Sequence, residues 1–289
     1  MRLKRWTIAI LGLSSLALLV TGLLGFWLRP SPMPRTEIFK GVFLTVEELS
    51  RTGLGSGRAM IVEIHWRTPG VRLEHRDFDY PVHPDDPGTP HFNLTFGDWA
   101  LWRHRPSVLV NTTRYHPSRY RDSLPGMAVR SGETLVVNSR ISHRHEHSYL
   151  LYWDEEMRAG ALTNKPPDPE ILEKARLAIG LQGVQVNGGL PRTNTFADLD
   201  LLDDRTFVGI DPEREILFLM AFERASGYLM IDRAVEAGVI FGGQVDSGDG
   251  TTLLIGPGAR GVPSHSGIRN PRPLGPYLKI IADPLPGNR

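Results

Sequence analysis

The residues best suited to chemistry are Asp246 and its neighbours in Val-Asp-Ser-Gly-Asp-Gly-Thr-Thr, residues 245–252, directly after an apolar run. A carboxylate at the end of a strand, followed by glycines, places backbone N–H groups and the hydroxyls of Ser247 and Thr251 beside an acid. Such a set suits general acid–base work or the hydrogen bonding of a polar ligand. The same residue types also build a tight Asp/Gly turn. A second group is His-Arg-His-Glu-His, residues 143–147. In an extended segment His143, His145 and His147 share one face, and three imidazoles suit zinc, copper or nickel; a solvated charged loop is the other reading. A third is Arg-Tyr-His-Pro-Ser-Arg-Tyr-Arg, residues 114–121, where two tyrosines and three arginines fit sugar stacking, an anionic polymer or a plain surface loop. The chain has no cysteine, which removes disulfides, thiolate metal sites and cysteine nucleophiles. No cofactor is required by these residues.

The elements that must position these groups are mostly strands. Residues 58–66 alternate, with Met60, Val62, Ile64 and Trp66 on one face. Short apolar runs at 107–111, 127–129, 134–137, 149–153, 239–245, 253–255 and 277–282 read as further strands. Residues 206–210 and 215–222 form a hairpin around Asp-Pro-Glu-Arg. Two helices are expected. One runs over 168–179, with Asp168 as cap, Pro169 at the first position and Gly180 as stop. The other runs over 228–237, capped by Ser226 and ended by Gly238. Gly and Pro together make 53 of 289 residues, well above the usual share of roughly 12%, which argues against a helical bundle. The expected class is α+β, a mixed and largely antiparallel sheet with a few packed helices, after one N-terminal transmembrane helix.

The net charge of +1 hides a split. Arg2, Lys4, Arg5 and Arg29 are the only charges in residues 1–29; without them the chain carries 29 basic against 32 acidic groups, a net of −3. That balance gives no support to nucleic-acid binding. Residues 6–28 are uncharged and Leu-rich, with Trp6 and Trp27 near the ends; 23 residues of helix span roughly 34 Å, enough for a bilayer core of about 30 Å. The basic residues precede the span, so residues 1–29 read as a cytoplasmic stub and signal anchor, 30–35 as a stiff Pro-rich linker and 36–289 as an extracytoplasmic domain. A cleaved signal peptide is the alternative reading, although its apolar core would be shorter. The expected location is the bacterial inner membrane, single-pass, with the domain in the periplasm.

Several segments in order resemble the phosphodiester glycosidase family, that of the mannose 6-phosphate uncovering enzyme and of exopolysaccharide-associated domains. Val-Leu-Val-Asn-Thr-Thr-Arg-Tyr-His-Pro, residues 108–117, is similar to the family's strand ending in Asn-Gly-Gly-Phe-Phe. Residues 125–139 resemble its Gly-Leu strand and following turn, and residues 205–222 its Arg-Thr hairpin with a terminal Asp. Residues 226–254 resemble its helix and Leu-Asp-Gly-Gly-Gly-Ser segment, and residues 272–281 its closing Arg-Pro-Val strand. The likeness spans about residues 107–282 and marks a divergent member. Asn111 is followed by Thr112 and Thr113 where the family has glycines, and Ser247 follows Asp246 in place of Gly. The resemblance implies hydrolysis of a sugar phosphodiester at the anomeric carbon, with a carbohydrate or sugar-phosphate substrate. It implies Asp246, Arg205 and Arg272 as the catalytic set, the arginines clamping phosphate, and Asn111, Thr206 and Asp211 as substrate-binding residues beside Ser247 and Thr251. A non-catalytic polysaccharide-binding or exopolysaccharide-assembly module on the same fold is the alternative.

Overall fold

The computed structural model describes residues 34–49, 54–75, 96–112, 128–131, 134–137, 149–162, 169–181, 183–193, 198–263, 266–269 and 277–287. Strands β1 (Thr36–Phe39), β2 (Val42–Glu48), β3 (Arg58–His65) and β4 (Arg72–His75) precede helix α1 (Gly97–His104). Then follow β5 (Val108–Asn111), β6 (Ala128–Ser131), β7 (Thr134–Val137), β8 (Tyr149–Asp154), β9 (Ala159–Leu162) and α2 (Pro169–Lys174). The third stretch holds β10 (Ala175–Leu181), β11 (Val186–Asn187), β12 (Leu190–Pro191), β13 (Asp203–Asp211), β14 (Ile216–Ala225) and α3 (Gly227–Ala237). The last holds β15 (Phe241–Ser247), a 3-10 turn at Gly248–Gly250, β16 (Leu253–Ile255), β17 (Gly267–Ile268) and β18 (Tyr277–Ile281).

The strands form an eight-stranded sheet, ordered β1-β2-β3-β14-β13-β15-β11-β12, and two five-stranded sheets, β17-β16-β5-β18-β4 and β7-β6-β10-β8-β9. Every strand pair among the described residues is antiparallel. The architecture is α+β, with no parallel pair among those residues. No described helix is long and apolar enough to cross a membrane; residues 6–28 lie outside the described set.

Four apolar clusters hold the sheets among the described residues, the smallest joining Leu150 of β8 to Ala175 and Ala178 of β10. One face of the eight-stranded sheet (Val62, Ile64, Val208, Ile210, Leu217, Leu219, Val245) shares a large core with inward residues of both smaller sheets, among them Val108, Val110, Trp153, Ile179 and Leu278. Its opposite face (Phe207, Phe218, Met220, Phe222) packs on Leu229, Met230, Ile231 and Ala234 of α3. The period-two alternation along β13 and β14 therefore separates two apolar environments, which is why β14 reads as an unbroken apolar run. A small third core joins Ala100 and Leu101 of α1 to Leu109, Leu254 and Tyr277.

The expected hairpin and the helix after it are present. Ser226 Oγ accepts from the Leu229 N–H at 3.2 Å, and Gly238 ends α3 with a left-handed φ of 91°. The helix expected over 168–179 stops at Lys174, and Ala175–Leu181 is strand β10 instead. That apolar stretch pairs with β6 and β8 and is buried, so sheet pairing overrides its local helical pattern.

Candidate functional site

Asn111, the last residue of β5, draws three segments together. Its Nδ2 donates to Asp246 Oδ2 at 2.8 Å, and its Oδ1 accepts from Thr206 Oγ1 at 3.1 Å and from the Thr252 backbone N–H at 2.8 Å. A backbone N–H can only donate, so the amide orientation is fixed by Thr252. The Asn111 N–H in turn donates to the Thr252 carbonyl at 3.1 Å, extending the β5–β16 ladder by one residue. Asp246 Oδ1 accepts from the Ser247 N–H at 2.8 Å. Asn111 is 1% exposed and Asp246 2% exposed, so the carboxylate sits among dipoles aimed at it rather than in water.

A β-bulge sets the direction of Asp246. Thr206 pairs with Asp246, but the next residue, Phe207, pairs with Gln244, leaving Val245 as the extra residue on β15. A bulge locally breaks the alternation and re-aims side chains. Val245 reaches the large core, Asp246 reaches Asn111, and Gln244 is left on the α3 side of the sheet.

Arg205 and Thr206 are adjacent on β13 and project to opposite faces. Thr206 meets Asn111. Arg205 is 3% exposed and locked elsewhere. Its Nε donates to the Ala225 carbonyl at 2.9 Å, Nη1 to Gln244 Oε1 at 2.8 Å, and Nη2 to the carbonyls of Asp198 and Leu201 at 2.8 Å each. Burial shifts its pKa below the ordinary guanidinium value, against the pull of Asp203 and Asp198, yet a guanidinium remains cationic. The arrangement ties the segment before β13 and the end of β14 to β15.

Asp211 lies at the other end of β13, five residues and about 17 Å from Thr206. Its Oδ1 accepts from the N–H groups of Glu213 and Arg214 at 3.1 and 3.0 Å, which caps the β13–β14 turn. Ser247 is half-buried beside Asp246. Thr251 is buried, and its hydroxyl has no hydrogen-bond partner among the described residues. Arg272 and the trio His143, His145 and His147 lie outside the described residues. Among the described residues no three His, Cys, Asp or Glu side chains gather as a cation site requires.

Two contributors were not singled out by residue type. Gly250 lies so close to Asp246 that a Cβ there would collide with the carboxylate, so the turn closes over the acid only with glycine at this position. Thr252 takes part through its backbone N–H, which no side-chain pattern reports. The glycine-rich string at 248–250 was the available signal for the first; nothing local signals the second.

No protein family profile matches the chain, and no curated protein sequence does. Solved structures do match. The catalytic domain of zebrafish N-acetylglucosamine-1-phosphodiester alpha-N-acetylglucosaminidase, auto-inhibited by its pro-peptide, is similar over 88% of this chain and 85% of that one, with a TM-score of 0.55 and 16% identity. A Synechocystis protein described as hypothetical matches with a TM-score of 0.58 at 12% identity, over 88% of this chain and 64% of that one, so this chain spans under two thirds of that protein. These likenesses place the chain in a distant fold relationship with a phosphodiester glycosidase domain.

Proposed function

We propose that the protein hydrolyses a sugar phosphodiester at the anomeric carbon, with Asp246 as the reacting carboxylate. The observation that carries this is the gathering of Asn111, Thr206, Asp246 and Thr252 by hydrogen bonds at the junction of β5, β13, β15 and β16, on a fold similar to a phosphodiester glycosidase domain. In the proposed step a water gives its proton to the Asp246 carboxylate and its oxygen bonds to the anomeric carbon. The bond from that carbon to the phosphate oxygen breaks, and its electron pair leaves with the phosphate monoester, a stable anion that needs little acid assistance. Asn111 holds the carboxylate by one Nδ2–H, and its second Nδ2–H is free by valence for a sugar hydroxyl. The buried Thr251 hydroxyl is a second donor for the ligand. Arg205 acts as a positioning residue, fixing β15 against β13. Arg272 is assigned to the departing phosphate. Residues 6–28 anchor the chain in the bacterial inner membrane, and residues 36–289 work in the periplasm on envelope glycans.

The test is release of sugar from N-acetylglucosamine-1-phosphate methyl ester by the full chain. Asp246→Asn, nearly isosteric, is expected to lower the rate by at least about a hundredfold with an unchanged circular dichroism spectrum. A variant as active as the wild type removes Asp246 from the chemistry. A non-catalytic saccharide-binding module is the second reading. It is favoured by the Asn111 Oδ1, already accepting two hydrogen bonds, and by the near-complete burial of Asp246. That reading gives binding without turnover in the same assay.

A further inference from the structure

The carboxylate assigned to the chemistry is sealed. Asp246 is 2% exposed, its Oδ1 accepts from the Ser247 N–H and its Oδ2 from Asn111 Nδ2. Gly250 lies against both oxygens, where even a Cβ would collide with them. An anomeric carbon and its attacking water have no way to this carboxylate past Gly250. Something over Asp246 must move before the step proposed above.

The walls of the site differ in what holds them. Thr206 sits on β13, laddered to β14 on one side and β15 on the other, and Asn111 on β5, laddered to β16 and β18. Moving either breaks a sheet. The cover is a single 3-10 turn, Gly248–Gly250, closed by the Thr251 N–H on the Gly248 carbonyl at 3.0 Å, and Ser247 gives it no side-chain cap. Gly248 holds a left-handed φ of 62°, and glycine moves between such values and ordinary ones at little cost. Thr251, directly after the turn, is 2% exposed, and its hydroxyl has no hydrogen-bond partner among the described residues. A buried hydroxyl without a partner destabilises the closed turn, and a partner reached on opening relieves that cost.

We propose that Gly248–Gly250 is a gate over Asp246. It is closed in this structure. It swings outward about Gly248 and Thr251 to admit a phosphodiester, one oxygen of which accepts from the Thr251 hydroxyl, and otherwise it bars water from the carboxylate. The gate rests on the hydrolase reading for the ligand it admits, but not for the covering of Asp246.

The lack of native cysteine makes the gate lockable. A Cβ on Gly248 stands 3.9 Å from Asp203 Cγ at the start of β13, within the reach of a disulfide. In full-length Asp203→Cys/Gly248→Cys the two thiols have only each other to pair with inside the chain. The oxidised and reduced forms are compared by two readouts. One is coupling of Asp246 to glycinamide by a water-soluble carbodiimide, read by peptide mass. The other is sugar release from N-acetylglucosamine-1-phosphate methyl ester. Oxidation is expected to slow both by at least about tenfold and reduction to restore them, with wild type indifferent to either treatment. Gly248→Ala adds a methyl that meets only ordinary contacts, so it penalises the closed turn through its positive φ alone. It is expected to speed the coupling about threefold or more, and it carries the test if the bridge does not form. Equal coupling in the oxidised and reduced forms, or coupling unchanged by Gly248→Ala where no bridge forms, overturns the gate. So does an Asp246 that no form couples, since the carboxylate is then permanently buried. Coupling that follows the bridge without sugar release by any form keeps the gate and removes the hydrolase. Sugar release that needs Asp246 but ignores the bridge does the reverse.

Discussion

Asn111 shows how one side chain can bind distant parts of the chain. Its amide engages β13 through Thr206, β15 through Asp246 and the segment after the 3-10 turn through Thr252. Asn111→Leu keeps the size and removes all three partners' bonds. It is expected to cost about 2–4 kcal/mol in urea unfolding, because buried polar groups are left unsatisfied rather than exchanged for water. A loss under about 0.5 kcal/mol would mean the three segments hold together without it. Asp246 stands out in the sequence as a carboxylate after an apolar run, the resemblance adds Asn111 and Thr206, and the three meet. The resemblance points to Arg205 equally, but its neighbour Thr206 takes the face toward Asn111, and a string of letters does not say which of two adjacent strand residues faces a site. Thr252 acts through its backbone, so its identity carries no signal.

Among elements, the β13–β14 hairpin and α3 were legible because their signals are local: an Asp-Pro-Glu-Arg turn, a serine cap, a terminal glycine. The cap is expected to matter. Ser226→Ala loses the bond to the Leu229 N–H and should lower stability by about 1 kcal/mol in thermal unfolding, while Ser226→Gly costs less. A larger fall for glycine than for alanine would contradict capping as the cause. Elements set by distant partners were illegible. Ala175–Leu181 has apolar spacing that serves a helix or a strand, and only pairing to β6 and β8 decides for the strand. Helix α1 escaped for the opposite reason. Its aromatics point outward and only Gly97, Ala100 and Leu101 are buried, so an eight-residue search for an apolar stripe finds none.

For the whole molecule, the surplus of strand patterns announced the α+β class, but not the order of strands. β3 pairs with β14 across about 150 residues of chain, and no local rule links them. The same sheet carries a pH dependence. Arg35 Nη2 lies 3.1 Å from His65 Nε2, and a guanidinium only donates, so this nitrogen accepts and His65 is neutral there. Burial first, then the charge of Arg35, hold its pKa below the ordinary 6.5, with Glu63 opposing. The unfolded chain then binds a proton that the folded one refuses, so stability falls as pH drops below about 6.5. Glu74 adds a second loss at lower pH. Burial works to raise its pKa, but hydrogen bonds from Arg72 and Lys279 outweigh that and leave it lowered, so its contribution fades as pH falls through the carboxylate range. Urea midpoints between about pH 7.5 and 5.5 should decline, and His65→Gln, which keeps an acceptor for Arg35, should flatten that slope. An equal slope in the variant assigns the effect to other histidines.

The extra residue at Val245 makes the contact between Asn111 and Asp246 depend on register as well as on residue type. Deleting Val245 would remove the bulge and leave Asp246 opposite Thr206, still facing Asn111, because Gln244 already pairs with Phe207. A change that straightened β15 without shortening it would instead set Val245 opposite Thr206 and turn the carboxylate toward the side of α3. Relatives that keep Asp, Asn and Thr but lack one residue in this strand can therefore hold the same contact on an unbroken ladder. In comparing such sequences, the pairing of β15 with β13 says more than the length of the strand does.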